Sequence, residues 1–528
     1  MKLAALTLLA LALAAPPSAW PGDTEKPTPR QKARQLLDSA AEMTAAATPD
    51  VQATALFHLA RNYQDFDSKR SIEYFKQAFT AATTPPVGQT PFARSTQMEI
   101  VVALVALDTA EGLALLKQIQ PVNDGGYDYR AFAASRVIGE LLEKDAIGQA
   151  IDLAEYMGGT GAYPFAGVGQ IMAKLPPGDN QLAAVFTSAL NAYVVKPDRA
   201  FHGMLMRYQK QLPAGMAEVA LSKVVAAILA PRDNDTYVSQ TLSSSQGTAT
   251  FTVRENVELF DVAPLIREID PKRYEDLLSN RAELRSAMQL FPGGALSVVQ
   301  GSGASIYAVS GAPKGSLSSE EQRARDATNA RMRTAALINA RSEAALTAAA
   351  KDPDKALDLV AEIPSPPKQA DVLAQIAQSV GENDVVKARR VLARCLSVLA
   401  DVKYPEDRVL AWDAVAGAAV VIKDEVILLR AVDRMLADAA ELYTEDSNAD
   451  RPNRAWRENW PSTQAYRRAI GRAVKLQGVD AEPVLQKITD PGQNVLARIA
   501  MAQALLERPF DRLQTFGGRQ RAPQLSGR

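Results

Sequence analysis

Residues 52–86 (QATALFHLARNYQDFDSKRSIEYFKQAFTAATTPP) constrain the fold of this chain more than any other stretch. Apolar and small residues recur at the i, i+3, i+4, i+7 spacing of amphipathic helices, on both sides of a polar turn at Asp65 and Asp67. The side chains on the buried faces are Leu56, Leu59, Ala60 and Tyr63 in the first helix, and Ser71, Phe75 and Ala78 in the second. The pattern predicts a helical hairpin with a small residue on each helix at the crossing.

The spacing of this hairpin returns along the chain: an apolar–small pair, a further apolar residue, a small residue after a turn, and a last apolar residue. Five weaker copies begin at Ile100, Ile138, Ala344, Ile376 and Val415. Each hairpin has two apolar sides and cannot bury both alone, so neighbouring hairpins would stack into a continuous core. The pattern predicts an all-α fold built by repetition.

The hairpin resembles the tetratricopeptide repeat, W-x2-L-G-x2-Y…A-x3-F. Leu56 stands at the tryptophan position, Ala60 at the glycine position, and the spacer to Ser71 is one residue short. In the last copy Trp412 stands at the tryptophan position. The resemblance implies an α-solenoid of stacked antiparallel hairpins. HEAT-like repeats and a non-repeating helical bundle are the alternatives.

Ligand-facing positions on the first helix of each unit follow from the same resemblance. They are Phe57, Arg61 and Gln64 in the first copy, Arg136 and Glu140 in the third, and Asp371 and Gln378 in the fifth. The alternative for each is an ordinary solvated residue.

The repeats fall into two halves, residues 31–230 and 320–506, separated by a different middle region at 231–319. Residues 248–253 (TATFTV) alternate like a strand, and residues 261–290 predict a short helical pair. The Gly/Ser-rich segment 292–319 predicts a linker, or a strand that pairs with the earlier one in a small sheet.

The first residues predict export. Residues 1–19 contain Lys2, an apolar run too short to span a bilayer comfortably, and small residues at the end, as in a signal peptide. Residues 20–30 are Pro-rich and predict a flexible lead-in, and the polar residues 507–528 predict a disordered tail. We expect a periplasmic or extracellular bacterial protein with no membrane span after signal removal.

Catalytic motifs are not evident. Cys395 lies between leucines and predicts a buried small side chain, and His58 and His202 lack a metal-site or triad motif around them. The glycine-rich residues 158–169 lack G-x-G-x-x-G spacing and predict a turn. The sequence therefore indicates no metal, no cofactor and no catalytic residue.

Residues 450–468 (DRPNRAWRENWPSTQAYRR) combine tryptophan with arginine, which are enriched in binding hot spots. Arg454, Trp456 and Trp460 are the candidate contact residues, and the alternative is a loop fixed by tryptophan packing.

Charge excludes one class of partner: 59 basic and 60 acidic residues give a net charge of −1, which disfavours nucleic acid. These observations predict an exported, non-catalytic scaffold that binds a protein or peptide. The alternatives are an envelope hydrolase with its active site in the middle region or between the halves, and a small-ligand-binding protein.

Overall fold

The computed structural model describes residues 26–84, 91–121, 128–231, 239–244, 247–300, 306–309, 319–448 and 460–508. Within these ranges the chain is almost entirely helical, which confirms the predicted all-α class. The predicted signal segment, most of the lead-in and the tail after Arg508 lie outside the described residues. None of the described helices is both long and apolar enough to cross a membrane.

Eleven helices precede the sheet in the described part of the chain. They are α1 (Pro29–Thr44), α2 (Pro49–Tyr63), α3 (Ser68–Thr83), α4 (Pro91–Leu107), α5 (Thr109–Leu116), α6 (Tyr129–Glu143), α7 (Ile147–Gly159), α8 (Phe165–Lys174), α9 (Asn180–Val195), α10 (Ala200–Tyr208), followed by a 3-10 turn (Gln209–Gln211), and α11 (Met216–Leu229).

The middle region comprises β1 (Ser239–Ser244), β2 (Gly247–Phe251), α12 (Arg254–Ile269), α13 (Pro271–Asn280), α14 (Ala282–Leu290), α15 (Ala295–Gln300) and β3 (Ile306–Val309). The remaining elements are α16 (Ser319–Ala349), α17 (Pro353–Ala361), α18 (Pro366–Gly381), α19 (Val385–Leu399), α20 (Pro405–Val421), α21 (Glu425–Asn448), α22 (Pro461–Gln477), a 3-10 segment (Gly478–Lys487) and α23 (Pro491–Leu505).

Local capping chemistry explains where many helices begin. The side chains of Asp352, Asp384 and Asp490 each accept a hydrogen bond from a backbone N–H in the first turn of the helix that follows. Thr28 forms a capping box with Gln31 at the start of α1. These groups satisfy N–H donors that have no partner within the helix, so they define each start.

The chain divides into two compact units. Unit 1 contains residues 1–67 and 337–512, and unit 2 contains residues 68–336 and 513–528. The first division falls between Asp67 and Ser68, so α2 and α3 belong to different units. The second falls inside α16, between Ala336 and Leu337.

In unit 1, consecutive helices from α17 to α23 pack side by side, and α18, α20 and α22 also pack on one another in turn. The N-terminal helices α1 and α2 pack on α23, the last helix. The hydrophobic core includes Leu36, Leu37, Phe57 and Tyr63 from these two N-terminal helices. Unit 1 therefore consists of segments from both ends of the sequence.

In unit 2, the helices α4, α6, α8 and α10 pack on one another in succession. The copies of the hairpin spacing that begin at Ile100 and Ile138 correspond to the packed pairs α4–α5 and α6–α7. The core of the unit includes the fully buried rings of Phe75, Phe186 and Phe201.

The sheet in unit 2 has three antiparallel strands in the order β2-β1-β3. Gln240 of β1 pairs with Phe251 of β2 on one side and with Ala308 of β3 on the other. β3 comes from the segment predicted as a linker or as a strand that pairs with 248–253; it is a strand, but it pairs with β1 and not with β2, which contains most of the predicted strand segment. The middle region is also more helical than expected, because three helices, α12 to α14, replace the predicted pair at 261–290. Asp270 caps the helix that starts at Pro271, as its sequence indicates.

Candidate ligand-binding cleft

A cleft with an aromatic wall lies in unit 2 and has a volume of about 720 Å³. It is bounded by the start of α6, the turn between α7 and α8, the end of α9, and the loop from Lys196 to Arg199 that leads into α10. Four separate pieces of chain therefore bring their side chains to one place.

Asp128 occupies one side of the cleft as the N-cap of α6, where its carboxylate accepts a hydrogen bond from the Arg130 backbone N–H at 3.1 Å. The Arg130 guanidinium also donates to this carboxylate, and Lys196 Nζ lies 3.9 Å away. Burial opposes ionisation of Asp128, but the hydrogen bonds and charge of Arg130 outweigh it and hold the pKa below its ordinary value. This carboxylate is thus already neutralised by its neighbours.

An aromatic wall forms the opposite side. The rings of Tyr163 and Phe165 lie 4.9 Å apart, and Phe165 meets Phe201 edge-on at 6.1 Å. Phe201 stacks on Tyr193 in the core. Because each ring is fixed by the next, the wall is continuous with the core and is expected to be rigid.

Tyr163 brings the polar end of this wall to the cleft. Its hydroxyl hydrogen-bonds Ser188 of α9, and Glu155 of α7 lies near enough to act on it electrostatically. Burial raises the pKa of Tyr163 to about 12, the Ser188 hydrogen bond opposes the shift, and the charge of Glu155 adds to it. Tyr163 is therefore a neutral hydroxyl at any physiological pH, able to donate or accept a hydrogen bond.

The glycine-rich turn opens the mouth of the cleft. Gly158, Gly159 and Gly161 line it without side chains, and Gly161 has φ +74°, a conformation that glycine adopts without strain. The predicted turn at 158–169 is shorter in the structure, because α8 already begins at Phe165.

A buried polar network holds the loop that closes the cleft. Arg199 donates two hydrogen bonds to Asp261 of α12, and Asp261 lies 3.4 Å from Nδ1 of His202. Nε2 of His202 is 3.0 Å from the Tyr193 hydroxyl. His202, Tyr193 and Asp261 are all buried, so this network supports the loop and does not face the cleft.

The mouth of the cleft carries two exposed carboxylates. Glu155 and Asp198 are exposed, and neither forms an ion pair with any residue that the structure describes. Within the described part of the chain, the Asp198 carboxylate accepts a hydrogen bond only from the Ala200 N–H, at 2.8 Å. Lys196, the one cation among the described residues that line this cleft, lies 3.9 Å from Asp128. The cleft can therefore accept an apolar group against its wall and a cation at its mouth.

The residues predicted from the first repeat lie in unit 1. Phe57 is 2 % exposed and belongs to the core, with the Arg61 guanidinium 5.9 Å from the centre of its ring. Gln64 is half-buried at the C-cap of α2. These three residues are not part of the cleft.

The residues predicted from the other repeats are divided between the units. Arg136 and Glu140 lie on α6, the helix that supplies Asp128 to the cleft, and Arg136 forms an ion pair with Glu99 of α4. Asp371 in unit 1 pairs with Lys368 at 2.6 Å, and Gln378 is exposed.

Only one of the three tryptophan–arginine candidates can be placed. Trp460 lies at the N-cap of α22, with its ring 6.0 Å from that of Tyr443. Arg454 and Trp456 lie outside the described residues.

The residues that form the cleft were not predicted from the sequence. Tyr163 and Phe165 follow the glycine-rich turn directly, and this run of glycine, tyrosine, proline and phenylalanine was the only local signal. Ser188 and Asp198 carry no signal, because their role depends on packing between helices that are distant in sequence.

Among the residues that the structure describes, no group of three or more His, Cys, Asp or Glu side chains is arranged to hold a metal ion. No family model, no curated protein and no solved structure matches this chain, so its own geometry carries the functional argument.

Proposed function

We propose that this protein is a helical-repeat scaffold that binds a peptide segment of a partner protein in the cleft of unit 2. The observation that carries the proposal is the pair of uncompensated carboxylates, Glu155 and Asp198, at the mouth of an aromatic-walled cleft. Aromatic side chains in a partly desolvated pocket, surrounded by polar groups, are typical of binding hot spots.

The packing order supports a solenoid as the architecture behind this role. In each unit, alternate helices along the chain pack on one another. These helices are α4, α6, α8 and α10 in unit 2, and α18, α20 and α22 in unit 1. Stacked hairpins produce this order, because the first helix of each hairpin contacts the first helix of its neighbour. Within each unit we therefore propose a degenerate solenoid.

The occupant is an extended peptide with an apolar side chain and a lysine or arginine. The apolar side chain would rest on Tyr163 and Phe165, and the basic side chain would reach Glu155 or Asp198. Val195, at the rim, is 84 % exposed, so the apolar surface continues beyond the cleft. A partner larger than the cleft would cover this side chain, which favours a peptide over a small molecule.

We propose that the protein acts in the bacterial cell envelope, as its first residues suggest. An exported protein with a peptide-binding cleft would act on partners in the bacterial cell envelope, and residues 1–19 support this proposal. Detection of the mature chain in a periplasmic fraction would support it, and retention of an uncleaved chain in the cytoplasm would contradict it.

The experiment measures fluorescence anisotropy with short labelled peptides that contain phenylalanine and arginine. The same peptides with glutamate in place of arginine provide the comparison. We expect the basic peptides to bind and the acidic ones to bind at least about fivefold more weakly, because the acidic peptides meet like charge at the mouth. Equal binding of both sets would contradict the proposal.

Paired variants locate the binding. The double variant E155Q/D198N should weaken binding of the basic peptide by about fivefold, since exposed ion pairs contribute about 0.5 kcal/mol each. The matched control is D152N/E218Q, which removes the same charge from exposed positions on α7 and α11 outside the cleft. If both double variants weaken binding equally, the cleft is not the site.

A further inference from the structure

A second cavity, in unit 1, differs from the cleft in its chemistry. It has a volume of about 870 Å³ and lies where α20, α22, the end of α23 and the start of α1 meet. We call it the arginine groove. The charged residues that line it are Arg467, Arg468, Arg472, Lys475, Arg508, Asp413 and Glu507.

The lining is strongly basic in a protein that is otherwise balanced. Five cationic and two acidic side chains line the arginine groove, and one of the cations, Arg508, forms an ion pair with Asp65, which leaves a formal excess of +2 in a chain that carries −1. Arg467 is only 4 % exposed, so part of this charge is held away from water. Concave positive surfaces concentrate anions, because low-dielectric walls focus the field.

Three of the cations lie along a single face of α22. Arg468, Arg472 and Lys475 are spaced i, i+4, i+7, which puts them on successive turns of the helix. Like charges at this spacing repel and destabilise a helix by a few tenths of a kcal/mol per pair. An anion bound along this face would remove the repulsion.

Asp413 of α20 orients two of these side chains. One of its oxygens accepts from Arg468 Nη1 at 2.9 Å, and the other accepts from Arg472 Nε at 2.7 Å. The other guanidinium nitrogens of Arg468 and Arg472 form no hydrogen bond with the part of the chain that the structure describes. Lys475 is exposed and has no ion pair among these residues.

The arrangement is therefore pre-organised for an oxyanion. One carboxylate fixes two guanidinium groups side by side and leaves N–H donors on both. Planar guanidinium groups bind carboxylate and phosphate oxygens in a bidentate manner. Gly417 of α20, which has no side chain, leaves space for the Arg472 guanidinium beside it.

The geometry points to the arginine groove as a binding site for a doubly charged oxyanion of the phosphate type, such as a phosphate monoester. Arg468, Arg472 and Lys475 exceed the charge of Asp413 by two, which a dianion would balance and a monocarboxylate would not. This site is separate from the peptide cleft of unit 2 and does not depend on the proposed function.

Inorganic phosphate is the probe in the test, and the full-length protein is titrated by isothermal calorimetry. Acetate, at matched ionic strength, represents a monocarboxylate. We expect phosphate to bind and acetate to bind at least about tenfold more weakly. Absence of phosphate binding above the response to sodium chloride, or equal binding of acetate, would overturn the proposal.

The variant R468Q/R472Q should lose at least about tenfold in affinity for phosphate, because hydrogen bonds to charged groups are the strong contacts of such a site. Its matched control is R390Q/R394Q, an i, i+4 arginine pair on α19 that is exposed and outside the arginine groove. Equal loss in both variants would show a nonspecific charge effect and overturn the proposal.

A third variant keeps the proposal testable if R468Q/R472Q does not fold. Lys475→Gln changes an exposed side chain without an ion pair and should leave the melting temperature unchanged while weakening phosphate binding by about threefold. Unchanged phosphate affinity in this variant and in a folded R468Q/R472Q would overturn the assignment. The peptide-binding assay serves as an independent readout, since neither variant should alter it.

Discussion

Arg199 and Asp261 join the loop beside the cleft of unit 2 to helix α12 through two hydrogen bonds, with Nη2 2.7 Å from Oδ1 and Nε 2.5 Å from Oδ2. The two residues are 62 positions apart in the sequence. Asp261 raises the pKa of the Arg199 guanidinium by hydrogen bonding, while partial burial opposes the shift. The loop depends on this pair for its position.

We expect Arg199→Gln to lower the free energy of unfolding by about 1–2 kcal/mol, because Asp261 is left buried with one weaker partner. This loss of stability is smaller than for a fully buried ion pair because the Arg199 side chain is itself 45 % exposed. Urea unfolding followed by circular dichroism measures the change. Arg207→Gln, at an exposed position on α10, the helix that follows this loop, should change stability by less than about 0.5 kcal/mol. Equal effects would show that the ion pair contributes nothing.

Gly167 and Gly169 on α8 should respond to alanine in opposite directions. A Cβ at Gly167 would lie 2.8 Å from the Ser135 Cα of α6, closer than packed atoms approach, whereas a Cβ at Gly169 meets nothing within 4 Å. Gly167→Ala should cost about 1–3 kcal/mol through overpacking. Gly169→Ala should stabilise by up to about 1 kcal/mol through helix propensity. Thermal melting of both variants tests the close crossing of α6 and α8, and equal melting temperatures would contradict it.

We expect the Glu283 carboxylate to make the free energy of unfolding depend on pH. Burial opposes its ionisation, but hydrogen bonds from the Thr252 hydroxyl and N–H and from Asn256 Nδ2 outweigh this and lower its pKa. A lowered pKa in the folded state stabilises the fold above the unfolded pKa, near 4.5, and this contribution is lost as the pH falls through the folded pKa.

Glu283→Gln should therefore cost about 1–2 kcal/mol at pH 7, and the difference from the wild type should shrink below about pH 4.5. Urea unfolding at pH 7 and at pH 3.5 gives the comparison. Glu275→Gln, at an exposed position on α13, is the control and should show little effect at either pH. A difference that stays constant with pH would refute the role of the charge.

Cys395 should resist thiol reagents in the folded protein. It is fully buried, its Sγ lies 3.2 Å from the Ala370 carbonyl oxygen, and burial, with a smaller effect from Asp371, raises its pKa from 9.0 to about 12. A raised pKa lowers the fraction of thiolate, which is the form that reacts with such reagents. Iodoacetamide labelling followed by mass spectrometry should show modification in urea and almost none in buffer. Rapid labelling in buffer would contradict the buried position.

Short-range features of the fold were predictable because they are encoded locally. The turn residues Asp352 and Asp384 cap the helices that follow them, and Asp270 does the same before Pro271. The burial of Cys395 between two leucines follows from helical periodicity in the same way. In each case the residues that act together lie within one or two helical turns.

Pairings between distant segments were not predictable. Nothing in the local pattern of α1 indicates that it packs on α23, and β3 was only one of two readings of its segment. The arginine groove shows the same limit: Arg468 ends the tryptophan–arginine stretch, but no local pattern connects it with Asp413, 55 residues earlier. Sites made by several helices depend on tertiary packing, which one sequence does not specify.

The packing of α1 and α2 on α23 has a consequence for how the protein assembles. Lys32 of α1 pairs with Glu482, which is 450 residues later in the sequence. Helix α1 therefore cannot make this contact until the ribosome has synthesised residue 482. Unit 2 is formed almost entirely by the continuous segment 68–336, so its helices are synthesised together and the unit can fold first. The first residues synthesised are then among the last to reach their final neighbours.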